Sequence, residues 1–388
     1  MASVISSLVY MRIMSWRMSA MKQLETYFKK YLKEFKPYKG FWCYEDGVIL
    51  KGAMDLYKAT DDLTYWQFVE HYLNEFVDQD GNLKGYKSTE YNIDHVNAGK
   101  VLFDAYQKTK DERFKVAIEH LMDQLRTHPR TKSGNFWHKN RYPHQVWLDG
   151  LYMALPFYTR YETTFNGLQN YEDIYHQFME VYRTHRNQEN GLYYHAFDES
   201  KSLFWCDKET GLSPNYWLRA EGWLLMALID TIDQMSETIF EYYKGLIDMF
   251  IQSIVDIIPF QDEKTGLWYQ VIDQMDREGN YLEVSGSAMV IYSILKGVRL
   301  NILDASYQEI ALKGLNGILD VYGYEDESGY HIGGICEVAG LGSFNGVVRD
   351  GSFDYYISEK VVPDEAKGIG PLMMAYAEYL MGDCHYEN

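Results

Sequence analysis

NIDHVNAGKVLFDAYQKTKDERFKVAIEHLMDQLRT, residues 92–127, carries two runs of helical periodicity, 92–107 and 112–127, parted by the polar link Lys110-Asp111-Glu112. So short a link turns the second helix back against the first and predicts a helical hairpin. The same reading extends outward to helices over 20–36, 48–59, 61–76, 144–162, 168–186, 216–235, 237–257, 284–298, 306–322 and 366–382. Short polar links such as Thr60-Asp61-Asp62 join the members of a pair, while longer aromatic, glycine-containing stretches separate the pairs. Each hairpin leaves an apolar face that only its neighbours can cover. Six hairpins closing on themselves predict an all-α (α/α)6 barrel, with an open solenoid as the alternative. No Pro/Ser linker or change of composition interrupts residues 1–388, so one domain is expected, residues 1–19 being an N-terminal extension.

Composition narrows the function. The 388 residues include 35 Tyr, 18 Phe and 9 Trp, rings whose flat faces and polar edges suit sugars. A net charge of −19 argues against nucleic acid and long polyanions, though a small anion met by a local arginine is allowed. Cys43, Cys206, Cys336 and Cys384 are scattered without a C-x-x-C, indicating neither a disulfide framework nor zinc and fitting a reduced, cytoplasmic protein. The first twenty residues, interrupted by Arg12 and Arg17, make a poor signal peptide, and no apolar run has the length of a membrane span.

The helices that follow the long loops should form the inner ring, and their starts carry unusual residues. They include Tyr44-Glu45-Asp46, Asn92-Ile93-Asp94-His95, Trp147-Leu148-Asp149, Trp217-Leu218-Arg219 and Ser285-Gly286-Ser287. In a ring these starts converge on one mouth, rimmed by Gly191–His195, Gly266–Gln270 and Gly333–Gly346. The outer starts, at Asp61, Asp111 and Ser236, read as ordinary N-caps.

Asp149 lies among Val146, Trp147, Leu148, Tyr152 and Met153, where burial should raise its pKa and suit it to general acid work. Asp94, opening the neighbouring inner helix, could bind hydroxyls or hold a water, or simply favour a helix N-terminus. Arg219 offers the fork that a carboxylate prefers, against a structural alternative of pairing with Glu221 or Glu162. His138 and His195 stand on rim loops in no metal-binding spacing. Phosphate-binding, dinucleotide-binding and serine-hydrolase motifs are absent from the sequence.

From about Trp42 to Glu378 the chain resembles the unsaturated rhamnogalacturonyl hydrolases, glycoside hydrolase family 105. The resemblance rests on Tyr44-Glu45-Asp46-Gly47, Asp94, HKNRYPHQVWLDGLYMALPF (138–157), NYWLRAEGW (215–223) and SGSAMVIYSILKGVRLNIL (285–303). CEVAGLG (336–342), RDGSFDYYISE (349–359) and DEAKGIGPLMMA (364–375) complete it. It implies the same barrel and a substrate with a terminal uronic acid bearing a C4–C5 double bond, most simply an unsaturated disaccharide from rhamnogalacturonan. It further implies Asp149 as proton donor and Asp94 as second carboxylate. Tyr44, His138, Trp147, His195, Trp217, Arg219 and Trp223 would line the sugar pocket, Arg219 taking the uronate carboxylate, with no metal or organic cofactor. The alternatives are an unsaturated glucuronyl hydrolase, an epimerase using His138 and His195, a lyase, and a sugar-binding toroid without catalysis.

Overall fold

A computed structural model describes residues 21–344 and 346–383. The expected N-terminal extension, Asn345 of one rim loop, and Cys384 lie outside them. The described chain is mostly helical. Helix α1 covers 21–34, followed by α2 (Tyr44–Thr60) and α3 (Leu63–Phe76). A 3-10 turn over Ile93–Gly99 runs straight into α4 (Lys100–Thr109), which pairs with α5 (Glu112–Thr127). Next come α6 (Leu148–Phe165) with α7 (Tyr171–Thr184) and α8 (Leu218–Gln234) with α9 (Phe240–Ile257). The last are α10 (Val284–Arg299) with α11 (Tyr307–Tyr322), the short α12 (Phe353–Ser358), and α13 (Ala366–Asp383).

The hairpin turns repeat one device. Asp61 and Lys110 take left-handed conformations (φ 55° and 59°) at the ends of α2 and α4, and the following aspartate caps the outer helix. Asp62 accepts from the Thr64 amide and Asp111 from the Arg113 amide. The first cap is thus Asp62, one residue beyond the expected Asp61. Ser236 is not a cap either, because α9 starts later, at Phe240.

Packing closes the ring. The inner helices touch in the order α2, the Ile93–Gly99 turn with α4, α6, α8, α10, α13, and α13 returns to α2, which excludes the open solenoid. Five outer helices are the second members of hairpins. The sixth is α1, whose Phe28 ring meets Tyr376 of α13 at 5.8 Å. A continuous core of buried leucine, isoleucine, valine and aromatic side chains fills the space between the layers.

Among the described residues eight short strands occur, seven of them where loops were expected and one, Gln145–Trp147, inside the expected 144–162 helix. They are β1 (Gln145–Trp147), β2 (Ala196–Asp198), β3 (Gly323–Asp326), β4 (Gly329–Ile332), β5 (Ile335–Cys336), β6 (Gly342–Phe344), β7 (Val347–Arg349) and β8 (Val361–Val362). They form four antiparallel pairs, β1–β2, β3–β4, β5–β8 and β6–β7. The pair β1–β2 matters most: of residues 144–147, read from periodicity as the start of a helix, His144 is a turn residue and Gln145–Trp147 are a strand whose Trp147 faces Ala196. That register lets the Leu148 amide donate to the His195 carbonyl at 3.1 Å, which sets His195 beside the first turn of α6.

Candidate active site

The starts of α2, of the Ile93–Gly99 turn, of α6 and of α13 line a cavity of about 700 Å³ at one mouth of the barrel, whereas the starts of α8 and α10, expected to join them, are not among its lining residues. Tyr44, Asp94, His138, Trp147 and Asp149 line it, as expected from the sequence. So does the Glu337–Gly340 stretch of the expected glycine-rich rim, together with Lys139, Arg141 and Tyr142, which were not singled out.

Asp94 is 6% exposed, in the first turn of the 3-10 segment, where the Asn92 side chain accepts from its amide. Its carboxylate meets Lys139 Nζ, and His138 Nε2 lies 3.7 Å away. Burial pushes its pKa up, but the Lys139 ammonium and His138 outweigh burial and hold it at about 2. Asp94 is therefore an anion across the physiological range.

His138 is buried with its ring parallel to Trp147 (4.5 Å between centroids, 8°), and Tyr142 extends the same aromatic wall at 5.2 Å from Trp147. Burial lowers the His138 pKa to about 4, against the pull of Asp94, so the ring is neutral. The glycine in W-L-D-G leaves room for His138: a Cβ at Gly150 would lie 3.2 Å from His138 Nδ1 and press on the imidazole.

Asp149 sits in the first turn of α6, its side chain 15% exposed at the cavity floor, with His195 Nε2 at 3.2 Å from Oδ2. The expected upward shift is not what the structure gives. Burial does push the carboxyl up, but the His195 ring, with His138 beyond it, reverses the sign and holds it below the ordinary carboxylate value. The sequence reading missed this because His195 is brought in by strand pairing, not by proximity along the chain. His195 is itself buried, with Nδ1 at 2.7 Å from the Tyr356 hydroxyl.

Trp217, Arg219, Trp223 and His195 are not among the residues lining the cavity, which differs from expectation. They form a layer behind the wall. The Trp217 ring packs on His195 (4.8 Å) and donates Nε1–H to Gln270 at 3.1 Å. Trp223 stacks on Tyr152 at 5.0 Å. Arg219 is 1% exposed: Nε donates to Ser285 Oγ at 2.7 Å, Nη2 donates to the Cys336 carbonyl, and Glu283 Oε1 lies 3.7 Å away. Neither Glu221 nor Glu162 is its partner. Glu283 also caps α10 through the amides of Ser285 and Gly286, so Ser285 serves to seat the arginine.

Glu221 instead accepts the Tyr193 amide and so anchors the loop that carries His195. Burial pushes its carboxyl up to about 8. A pKa raised on folding adds stability that is complete below the unfolded value of 4.5 and is lost as pH climbs through 8. Glu221→Gln, which keeps an acceptor for Tyr193, is expected to outlast wild type in thermal melts at pH 9, by roughly 2–4 kcal/mol, with the gap closing toward pH 4. Parallel melting curves at all pH values would show that Glu221 does not titrate across this window.

The family model of Glycosyl Hydrolase Family 88 matches residues 13–382. A solved family 105 glycoside hydrolase of C. acetobutylicum is 44% identical, with a TM-score of 0.84 over 87% of this chain and 94% of its own. The unsaturated rhamnogalacturonyl hydrolase YesR of Bacillus subtilis is 28% identical over 287 residues, 72% of this chain and 76% of its own length. An unsaturated glucuronyl hydrolase of a Bacillus species, 15% identical over 92% of this chain and 95% of its own, shares the fold with a TM-score of 0.63.

Proposed function

Because the chain belongs to Glycosyl Hydrolase Family 88, we propose that it removes a terminal 4,5-unsaturated galacturonic acid from rhamnogalacturonan fragments by hydrating the sugar's double bond. The observation that carries this reading is the pair of carboxylates, Asp94 and Asp149, converging on one cavity beside an aromatic wall. YesR, similar over most of its length, bears the name of that activity.

The chemistry needs one acid. The double bond is an enol ether conjugated to the uronate carboxylate, so C4 accepts a proton from Asp149 and positive charge develops on C5 and the ring oxygen. A water held near Asp94 adds at C5 and returns its spare proton to the Asp149 carboxylate. The hemiketal opens to a ketone, the freed C1 hemiacetal collapses to an aldehyde, and the next sugar leaves as an alcohol. One water is consumed and Asp149 ends as it began. Two carboxylates flanking the anomeric bond, as in ordinary glycosidases, are not required.

Asp149 must hold a proton before it can give one, although it is an anion in the empty site. An incoming uronate brings negative charge and displaces water, and both raise the Asp149 pKa. Lys139, lining the cavity, is a cation in reach of that uronate, whereas Arg219, buried behind the wall, is paired with Glu283. The rings of Trp147 and Tyr142 offer the sugars an apolar face. An epimerase would need His138 and His195 both open to the sugar, yet of the two only His138 lines the cavity. The buried thiols Cys43, Cys206 and Cys336 fit a cytoplasmic site of action, and no described helix is long and apolar enough to cross a membrane.

The test follows the conjugated double bond's ultraviolet absorbance with lyase-generated unsaturated rhamnogalacturonan disaccharide. Wild type is expected to abolish it. Loss only with glucuronyl-type unsaturated substrates would move the assignment to that sibling activity. No loss with either class would overturn the hydrolase reading.

A further inference from the structure

Helix α6 contains Pro156, which has no N–H to give to the carbonyl four residues earlier, that of Tyr152. A buried carbonyl without a donor is costly. This one is satisfied from another helix: Lys100 Nζ donates to it at 2.7 Å. The same amine donates to Asn97 Oδ1 at 2.8 Å, and Asn97 Nδ2 donates to the Tyr44 carbonyl at 3.2 Å. Lys100, Asn97 and Tyr152 are 5%, 2% and 0% exposed, and Lys100 Nζ lies 3.1 Å from the centroid of the Tyr152 ring.

Each anchor lies at or just below a residue of the site. Asn97 follows Asp94 by three residues and Tyr152 follows Asp149 by three, one helical turn in each case, while Tyr44 itself lines the cavity. We propose that Lys100 is a positioning residue which, through the carbonyl that Pro156 leaves open, fixes the Asp94-bearing and Asp149-bearing turns relative to each other and to Tyr44. Burial pushes the Lys100 pKa well down. Two N–H donors serve both arms whether the amine is charged or neutral. The proposal rests on Asp94 and Asp149 being the working carboxylates. A shift of about 1 Å between such groups can cost on the order of a hundredfold in rate.

Lys100→Met keeps the length of the side chain and removes both arms. The expected result is a kcat lower by about 10- to 100-fold with KM within about threefold. Adding Pro156→Ala supplies a backbone N–H for Tyr152, so the double variant should recover the lost thermal stability but not kcat. Lys51→Met removes a half-buried lysine, one paired with Asp55 and not with these turns, and should leave kcat within about threefold of wild type. A Lys100→Met enzyme with wild-type kcat, or one fully restored by Pro156→Ala, would overturn the proposal. Should Lys100→Met not fold, Asn97→Ala cuts the arms to the Asp94 turn and to Tyr44, and wild-type kcat there has the same force. Hydrogen exchange of the amides at 94–97 and 149–152 reads the tie without substrate. It should quicken in the double variant, and unchanged exchange sinks the tie. Failure of wild type on every unsaturated substrate would sink the functional reading alone.

Discussion

Asp149→Asn is expected to lower kcat on an unsaturated uronyl disaccharide by about 10²–10⁴-fold, the range for losing a general acid, with substrate affinity changed far less. The amide is close in size to the carboxylate, so the α6 turn, the Gly150 gap and the His138–Trp147 wall should stay as they are. What disappears is the lining carboxyl that His195 approaches, at 3.2 Å, and with it the proton for C4. Asp94 cannot take over, because Lys139 and His138 keep it ionised down to about pH 2. Turnover by the variant within tenfold of wild type would remove Asp149 from the chemistry. Wild type should carry a related signature. Since Asp149 is ionised in the free enzyme, kcat/KM should fall as pH rises from the acid side, and the corresponding limb of kcat should lie at higher pH, where bound uronate holds the proton on. Coincident limbs would mean that substrate does not raise the Asp149 pKa.

The second large effect concerns folding. Gly286 opens α10 against the start of α8, and a Cβ there would stand 2.5 Å from Leu218 Cγ, 2.9 Å from the Leu218 carbonyl carbon and 3.0 Å from the Arg219 amide nitrogen. Two of these neighbours are backbone, so the clash can be relieved only by moving one inner helix away from the other. Gly286→Val should therefore cost about 1–3 kcal/mol or more, read as a lower melting temperature, with Gly286→Ala milder. Activity should fall further than stability alone accounts for, because the same displacement carries the Arg219 seat on Ser285. A valine variant that melts with wild type would show that this close approach is not a constraint.

The glycines and carboxylates of the site were legible in unequal degree. Asp149 stood out because an acid amid apolar residues at a helix start is conspicuous in one dimension, whereas Asp94, as easily a helix-start acid by spacing alone, was singled out through the family resemblance; both line the cavity. Lys139 was missed although it adjoins His138, since a lysine in a loop gives no signal of what it faces. Tyr356 and Glu283 were missed because their partners, His195 and Arg219, come from distant parts of the chain.

By itself the sequence determined the helices, their order and five of the six expected hairpins, because helix periodicity and the polar links between paired helices are local properties of neighbouring residues. It also determined which residues stand at the inner-helix starts. Tertiary structure alone decided that α1 covers α13 to complete the outer layer, that β1–β2 pairing brings His195 to Asp149, and that Arg219 lies behind the cavity wall. It decided the sign of the Asp149 shift as well: burial could be read from apolar neighbours in sequence, but the opposing field comes from imidazoles that only the fold places within reach. Local pattern fixes what each segment becomes, whereas a site's electrostatics depend on distances between segments, and those exist only once the ring has closed.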